Sequence, residues 1–316
     1  MCKENFIMTE ERARYILTFC LKDIVNCENE IEKRFLIDTL DEILRVSEQE
    51  KWDLSLNKKY VSLAIDTDSL EVLKIFINNG ASFGQEELLE TLKKKKSNII
   101  IALIDGGVNL NDNTVSESPL LYVIENYNEE YYFLVEKLLQ NGANPNVLDR
   151  KNNSILLKIL KEHYFCKFPN TTMGLINLLT KYGADVSFNN YELIDYTATY
   201  ISDVHMFDTF INSSTAEGVD IYHVFSLAAI SNNINIMNYI LSGKTEEFKK
   251  YIILNAFECL ARNNYNLYNF IQSLFKCDIS SDIFIKLLNR AKKIKAKRKV
   301  IKLIESAINF QKNIKN

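Results

Sequence analysis

Glycines that close apolar helical runs recur along this chain at comparable intervals. Five of them precede an alanine or a valine: Gly80-Ala81, Gly107-Val108, Gly142-Ala143, Gly183-Ala184 and Gly218-Val219. Successive members of this set are 27, 35, 41 and 35 residues apart. A helix commonly ends in a left-handed residue, a conformation that glycine adopts without steric cost. A helix end that recurs at this spacing indicates stacked repeats with one continuous core, because no repeat can bury its apolar face alone.

The intervals contain pairs of apolar segments with helical spacing. The interval that ends at Ala81 contains Leu63-Ala64-Ile65 and then the longer run from Leu70 to Phe76. The 316 residues include only 3 prolines and 9 glycines. Those numbers are too small for the many turns of special geometry that an all-β fold needs. The sequence therefore predicts an all-α fold built from helical pairs.

Short motifs make this prediction more specific. Ser118-Pro119-Leu120 starts one unit, Asn141-Gly142-Ala143-Asn144 ends it, and the segment from Asp149 to Ser154 follows. These segments resemble the Thr-Pro-Leu-His start, the Gly-Ala-Asp/Asn end and the Asp-x-x-Gly-x-Thr finger of the ankyrin repeat family. Asn152 stands where the finger has glycine, and asparagine tolerates the left-handed conformation better than most residues do.

The resemblance implies an ankyrin-repeat solenoid of about seven helix-turn-helix units over residues 54–280. An N-terminal helical cap would occupy residues 1–53, and basic capping helices would occupy residues 281–316. The resemblance is strong over residues 59–186 and faint elsewhere, and residues 187–222 do not align, although Tyr191 to Ser213 could hold two short helices. Because the Thr-Pro-Leu-His quartets are mostly missing, we expect irregular stacking and few of the family's hydrogen bonds between units.

Both predicted caps show apolar helical stripes. Thr9 precedes Glu10 and Glu11, which places a hydroxyl N-cap and two acids at the positive end of a helix. The residues expected on the N-terminal core stripes are Tyr15, Ile16, Phe19, Cys20, Ile24, Phe35, Leu36, Leu40, Ile43 and Leu44. The corresponding C-terminal stripe is Leu287, Leu288, Ala291, Ile294, Ile301, Ile304 and Ile308. Terminal units of a stack need a polar outer face, so each stripe should pack inward.

Ankyrin stacks usually bind proteins through finger tips and first helices. The resemblance therefore implies a non-enzymatic, monomeric protein-binding scaffold with a concave groove. The implied partner-binding positions are Asp66, Glu90, Lys93, Tyr122, Glu125, Asn126, Arg150, Lys151, Asn153, Lys158, Lys161 and Glu162. Tyr122 is the preferred anchor, because aromatic side chains are enriched among the residues that dominate binding energy. Degenerate ankyrin repeats in an Asn-, Lys- and Ile-rich chain resemble those of large DNA viruses and intracellular bacteria, which raises a host–pathogen interaction as a hypothesis.

Charge is distributed unevenly along the chain. Residues 286–316 carry 11 Lys or Arg and one acid, Glu305, although the whole chain has a net charge of −3. The basic segment Lys292–Lys302 favours an alternative function, the binding of nucleic acid or of an acidic membrane surface. The competing interpretation is a solvated face of the C-terminal cap. The run Lys93-Lys94-Lys95-Lys96 is expected to be an exposed turn between two helices.

A second alternative is an enzyme with Cys166 as nucleophile and His163 as its base. No family motif surrounds this pair, and His223 falls in a threonine slot of the repeat, where packing or a hydrogen bond between units is expected. No metal site, phosphate loop or cofactor is predicted. The six cysteines are scattered without a C-x-x-C pair, and neither a secretory signal nor a run of about 18 apolar residues is visible. These features predict a cytoplasmic protein, or one in the host cytoplasm or nucleus if it is an effector.

Overall fold

The computed structural model describes residues 8–52, 54, 56, 58–115, 117–126, 131–162, 169–213, 216–263 and 265–315. Within these ranges the chain forms 18 α-helices and no strand, which confirms the all-α prediction. The chain divides into two compact units, Met1–Ile155 and Leu156–Asn316. This division falls inside the segment predicted to hold the repeats, and the cap boundaries at residues 53 and 280 stay predictions.

The first unit contains four helical pairs. Its helices are α1 (Glu10–Asn26), α2 (Glu30–Gln49), α3 (Lys58–Asp66), α4 (Leu70–Asn78), α5 (Gln85–Lys93), α6 (Ser97–Asp105), α7 (Pro119–Glu125) and α8 (Tyr132–Gln140). The two helices of each pair pack on one another. The first helices α1, α3, α5 and α7 also pack in sequence as one row, and α2, α4 and α6 form a second row. This packing buries the apolar faces that the sequence pattern indicated.

The described residues of the second unit, together with Ile155, form ten helices. They are α9 (Ile155–Glu162), α10 (Pro169–Lys181), α11 (Phe188–Tyr200), α12 (Val204–Ile211), α13 (Ile221–Ile230), α14 (Ile234–Leu241), α15 (Glu246–Arg262), α16 (Leu267–Leu274), α17 (Ser281–Lys293) and α18 (Arg298–Lys315). Helices α11, α13, α15 and α17 pack in sequence, as do α12 with α14 and α16 with α18. Helices α11 and α12 are the two short helices predicted between Tyr191 and Ser213. No described helix of either unit is both long enough and apolar enough to cross a membrane.

Four of the five predicted glycine helix ends are confirmed. At Gly142 φ is +85°, and the next amide, that of Ala143, donates to the Leu138 carbonyl at 3.0 Å. An added Cβ at Gly142 would meet no atom within 4 Å, so the left-handed backbone and not a lack of space requires glycine there. The prediction was wrong at Gly218, because α12 ends earlier, at Ile211.

The N-terminal pair forms as predicted, but its core stripes were partly wrong. Thr9 caps α1 by accepting a hydrogen bond from the Arg12 amide at 3.4 Å. Tyr15 is 72% exposed, Phe35 is 69% exposed, and Phe19 is also exposed. The residues that α1 buries are Ala13, Leu17, Cys20, Leu21 and Ile24. Both helices carry apolar residues on two faces, so helical spacing alone did not reveal which face packs inward.

The C-terminal stripe is confirmed at Leu287, Ala291, Ile304 and Ile308, which are buried. Ile294 is an exception, because α17 ends at Lys293 and leaves Ile294 exposed in the turn that follows.

Candidate functional site

The first row of helices in the first unit brings Asp66 and Glu90 together around one lysine. The Lys94 ammonium nitrogen lies 2.7 Å from Asp66 Oδ1 and 2.6 Å from Glu90 Oε1. Burial opposes the charge of Lys94, but hydrogen bonds to Asp66 and Glu90 outweigh it and raise the pKa of Lys94. Burial likewise opposes the charge of Glu90, and hydrogen bonds from Lys94 and Ser62 outweigh it and lower the pKa of Glu90. Asp66 and Glu90 therefore hold α3 on α5.

Lys93 and Tyr122 meet between α5 and α7. The Lys93 ammonium lies 5.6 Å from the centroid of the Tyr122 ring and 3.1 Å from Glu117 Oε2. This arrangement combines a cation–π contact with an ion pair. Tyr122 is half-buried, so it presents one part of its ring to solvent in a position that Lys93 restrains. Asn126 ends α7, and its side chain donates to the Tyr122 carbonyl at 2.9 Å.

The finger predicted after Val147 is present and is organised by Asp149. Leu148 and Ser154 form an antiparallel bridge, and Asn152 has the expected left-handed φ of +61°. The buried Asp149 carboxylate accepts hydrogen bonds from the amides of Lys151 and Asn153, both at 2.8 Å, and from the Asn153 side chain at 2.9 Å. Asn153 thus stabilises the conformation of the finger. The Arg150 and Lys151 side chains are exposed at its tip.

A cleft of about 330 Å³ lies beside this finger. We call it the finger cleft; it is lined by the loop around Asp112, by Leu121 and Glu125 of α7, by the finger residues Asp149 and Arg150, and by Gln85. The predicted residues Glu125 and Arg150 therefore border one concave surface. Binding sites are typically concave and contain a few polar or charged side chains that fix the orientation of the ligand.

Gln85 is a residue of this cleft that sequence reasoning missed. Its buried side chain accepts from the Asp112 amide at 2.6 Å and donates to the Glu117 carbonyl at 3.0 Å and the Asp112 carbonyl at 3.3 Å. Successive loops are also linked by Asn111, which donates to the Gly142 carbonyl and accepts from the Asn144 amide, each at 2.8 Å. Side-chain amides thus supply hydrogen bonds between successive helical pairs. The abundance of asparagine was the one available signal.

The predicted residues of the second unit behave differently. Lys158 is only 7% exposed, and its ammonium lies 3.1 Å from Glu162 Oε2. Its assignment as an accessible partner-binding residue is therefore corrected, although Glu162 itself is exposed. The Lys161 ammonium lies 3.5 Å from Glu192 Oε1 and 5.7 Å from the Tyr196 ring centroid. The sequence of α9 did not reveal that Lys158 is buried, because burial depends on the helices that pack around it.

Of the two roles predicted for His223, packing or a hydrogen bond between units, the structure shows a hydrogen bond. The Nε2 atom of His223 lies 3.1 Å from Asp195 Oδ2, which links α13 to α11. This hydrogen bond raises the pKa of His223, and burial opposes the rise.

The two residues predicted for the catalytic alternative, His163 and Cys166, lie outside the described residues. Among the cysteines that the structure describes, burial raises the pKa of Cys277 to about 11, which leaves its thiol protonated and unreactive. Within the described ranges no three His, Cys, Asp or Glu side chains are grouped as metal ligands.

The basic segment Lys292–Lys302 spans the end of α17, an exposed turn and the start of α18.

Comparisons with protein-family models, with curated proteins and with solved structures found no match to this chain.

Proposed function

We propose that this chain is an ankyrin-like repeat protein that binds a partner protein through the finger surface of its first unit. We define the finger surface as Lys93, Tyr122, Glu125, Arg150 and Lys151. Glu125 and Arg150 line the finger cleft, Lys93 pairs with the lining residue Glu117, and Tyr122 and Lys151 follow lining residues in the chain. The observation that carries the proposal is the finger itself. Asp149 uses its carboxylate to hold the loop, and the Arg150 and Lys151 side chains remain exposed at the tip with no carboxylate within 4.0 Å among the described residues.

A surface held in this way favours binding. The hydrogen bonds from Gln85 and to Asp149 restrain the loops before a partner arrives. Less conformational entropy is therefore lost when the complex forms. Arginine and tyrosine are the residue types most often found where binding energy is concentrated, so Arg150 and Tyr122 are the expected anchors. The two cations at the finger tip favour a partner segment that carries carboxylates.

The remaining parts of the proposal follow from the resemblance. On this proposal the chain acts without catalysis, as a monomer in the cytoplasm, and a host protein is one candidate partner. Asp66, Glu90 and Asn153 contribute by holding the surface in shape, since their described contacts are made within the chain.

The test is affinity capture with four forms of the chain. The wild type, Arg150→Glu/Lys151→Glu, Tyr122→Ala and a control, Lys22→Glu/Lys74→Glu, are immobilised at equal density. The control reverses two exposed charges on α1 and α4, which do not line the finger cleft. We expect at least one protein to be retained by the wild type and the control and to be lost from the finger variant. Retention of every captured protein by the finger variant and by Tyr122→Ala would refute the proposal.

A further inference from the structure

A second concave surface lies in the second unit, at the end of the chain. A cleft of about 700 Å³ is bordered by the C-terminal end of α15, the segment that leads into α16, and the turn between α17 and α18. We call it the basic cleft. Its charged lining is Arg262, Arg290, Lys293, Lys295, Lys297, Lys299 and one acid, Glu258.

The two arginines of the basic cleft have structural partners. Arg290 donates to the Leu254 carbonyl at 3.1 Å and to the Glu258 carboxylate, which attaches α17 to α15. Arg262 lies 3.6 Å from the same carboxylate. Glu258 is thus paired with two arginines, and it is the one acidic residue that lines the basic cleft.

The four lysines have no such partners. Lys293, Lys295, Lys297 and Lys299 are exposed, and within the described residues no carboxylate lies within 4.0 Å of their ammonium groups. Among the described residues, the Lys299 ammonium lies near the aromatic ring of Tyr268, 5.1 Å from its centroid. Four like charges around one cavity repel one another, and this repulsion is relieved when an anion enters.

Helix electrostatics does not account for these lysines. Cations stabilise the C-terminal end of a helix and destabilise its N-terminal end. Lys293 ends α17 and gains from this effect. Lys297 and Lys299 flank the first residue of α18, where the helix dipole disfavours a cation. Lysines that serve only to keep the protein soluble would not need to lie at the N-terminal end of α18.

Tyr265 adds an aromatic surface to the basic cleft. Its side chain is 49% exposed, and it borders the cavity between Arg262 and α16. Cationic grooves with accessible aromatic rings are typical of proteins that bind single-stranded nucleic acid, in which lysines contact phosphates and bases stack on the rings. A cavity of this volume lies in the range of small-ligand sites, and it can admit part of one strand but not a duplex.

We propose that the basic cleft binds single-stranded nucleic acid, with phosphates held by the four lysines and a base stacked on Tyr265. An acidic membrane is a poorer fit. Membrane-surface helices need a continuous exposed apolar face. Helices α17 and α18 bury Leu287, Ala291, Val300 and Ile304, and the large apolar residues that they leave exposed, Ile285 and Phe310, lie on different helices. This site belongs to the second unit and is independent of the finger surface, so either proposal can fail alone.

The test compares two fourfold variants of the full chain. Lys293→Gln/Lys295→Gln/Lys297→Gln/Lys299→Gln removes the four charges of the basic cleft. The control, Lys22→Gln/Lys51→Gln/Lys74→Gln/Lys95→Gln, removes four exposed lysines of the first unit that also lack a described carboxylate partner. Lys51 and Lys95 have left-handed backbones, like Lys295, so the two variants are matched in this respect as well. Fluorescence anisotropy with labelled oligothymidylate measures the affinity over a range of salt concentrations.

We expect the wild type and the control to bind the oligonucleotide, and the cleft variant to bind about tenfold more weakly or worse. The log–log salt dependence should lose a slope of about 3, since each phosphate contact on a single strand contributes about 0.7. Tyr265→Leu should weaken binding about fivefold or more, whereas Tyr15→Leu, which changes an exposed tyrosine of the first unit, should not.

Three results would overturn the proposal. The first is that the wild type does not bind the oligonucleotide, or that the substitutions of the cleft variant and of the control weaken its binding equally. The second is tighter binding of a duplex of matched length, which would place the contact outside the cleft. The third is binding to phosphatidylserine vesicles or to polyglutamate in the absence of oligonucleotide binding, which would assign the lysines to a membrane or to an acidic peptide.

Discussion

The finger cleft and the basic cleft are both concave, but their polar groups have different partners. In the finger cleft Gln85 makes three hydrogen bonds with the backbone of Asp112 and Glu117, and Asp149 accepts three more from Lys151 and Asn153. In the basic cleft the arginines share one carboxylate and the lysines have none within the described residues. The first cleft thus has a hydrogen-bonded interior and a charged rim, and the second has two paired arginines beside four lysines without a described carboxylate partner.

This difference separates two uses of polar residues. Buried polar groups that are fully hydrogen-bonded hold a loop in one conformation, and their loss leaves backbone groups unpaired. Exposed like charges contribute little to stability and can lower it through repulsion. Changes inside the finger cleft should therefore affect folding, and changes to the four lysines of the basic cleft should affect binding far more than folding.

The largest expected effect tests the finger cleft. Gln85→Leu removes all three hydrogen bonds from a buried position and leaves backbone groups of Asp112 and Glu117 without their partner. We expect the free energy of unfolding to fall by about 3 kcal/mol. Urea denaturation measures the loss. Gln140→Leu, at an exposed position of α8, is the control and should change stability by less than about 0.5 kcal/mol. Equal losses for the two variants would contradict the structural role of Gln85.

A smaller effect is expected at the finger. Asp149→Ala deletes the carboxylate that accepts hydrogen bonds from Lys151 and Asn153, at a cost of about 2 kcal/mol. Asp149→Asn keeps one acceptor oxygen and should lose less. Urea denaturation gives the stability, and faster amide exchange of residues 150–153 would show that the finger has loosened. Unchanged exchange in Asp149→Ala would mean that other contacts hold the finger.

The contact between His223 and Asp195 should make the stability of the second unit depend on pH. The hydrogen bond to Asp195 raises the pKa of His223 in the folded chain above the ordinary value of about 6.5. The stabilisation is therefore complete below about pH 6.5 and is lost as the pH rises through the folded-state pKa. Because His223 and Asp195 are partly exposed, we expect less than about 1 kcal/mol. Melting temperatures of His223→Gln should lack this dependence between pH 6 and 8, and those of His205→Gln, an exposed control, should retain it.

The smallest effect is expected for the four lysines of the basic cleft. Their replacement by glutamine removes repulsion and should leave stability unchanged or raise it by about 0.5 kcal/mol at low salt. The gain should vanish at about 1 M salt, where the screening length is about 3 Å. Urea denaturation at both salt concentrations provides the measurement. A loss of more than about 1 kcal/mol would show that the lysines hold the cleft together and would remove the contrast with Gln85.

Much of the local structure could be predicted because it depends on neighbours in the chain. The helix ends at Gly142 and Gly183, the N-cap at Thr9 and the left-handed Asn152 were all predicted from short motifs. The prediction failed at Gly218, where a dipeptide resembled a helix end but α12 had already ended. The helix end at Gly243 was missed for the opposite reason, since lysine follows that glycine in place of alanine or valine.

The candidate site was less predictable, since it depends on which helix faces are covered. Lys158 lies on a first helix as predicted, yet it is buried beside Glu162. Tyr15 and Phe35 lie on apolar stripes, yet they are exposed. Helical spacing describes one helix at a time, and coverage is a property of the helices that pack on it.

By itself the sequence determined the helical class, four glycine helix ends and the turn of the finger, because these features depend on backbone preferences over a few residues. Only the tertiary structure decided that Lys94 joins Asp66 to Glu90 and that Gln85 bonds to residues 27 and 32 positions away. It also decided that four lysines border one cavity with Tyr265. The physical reason is that such contacts form between repeats, and each requires the packing of several helices before two distant side chains can meet.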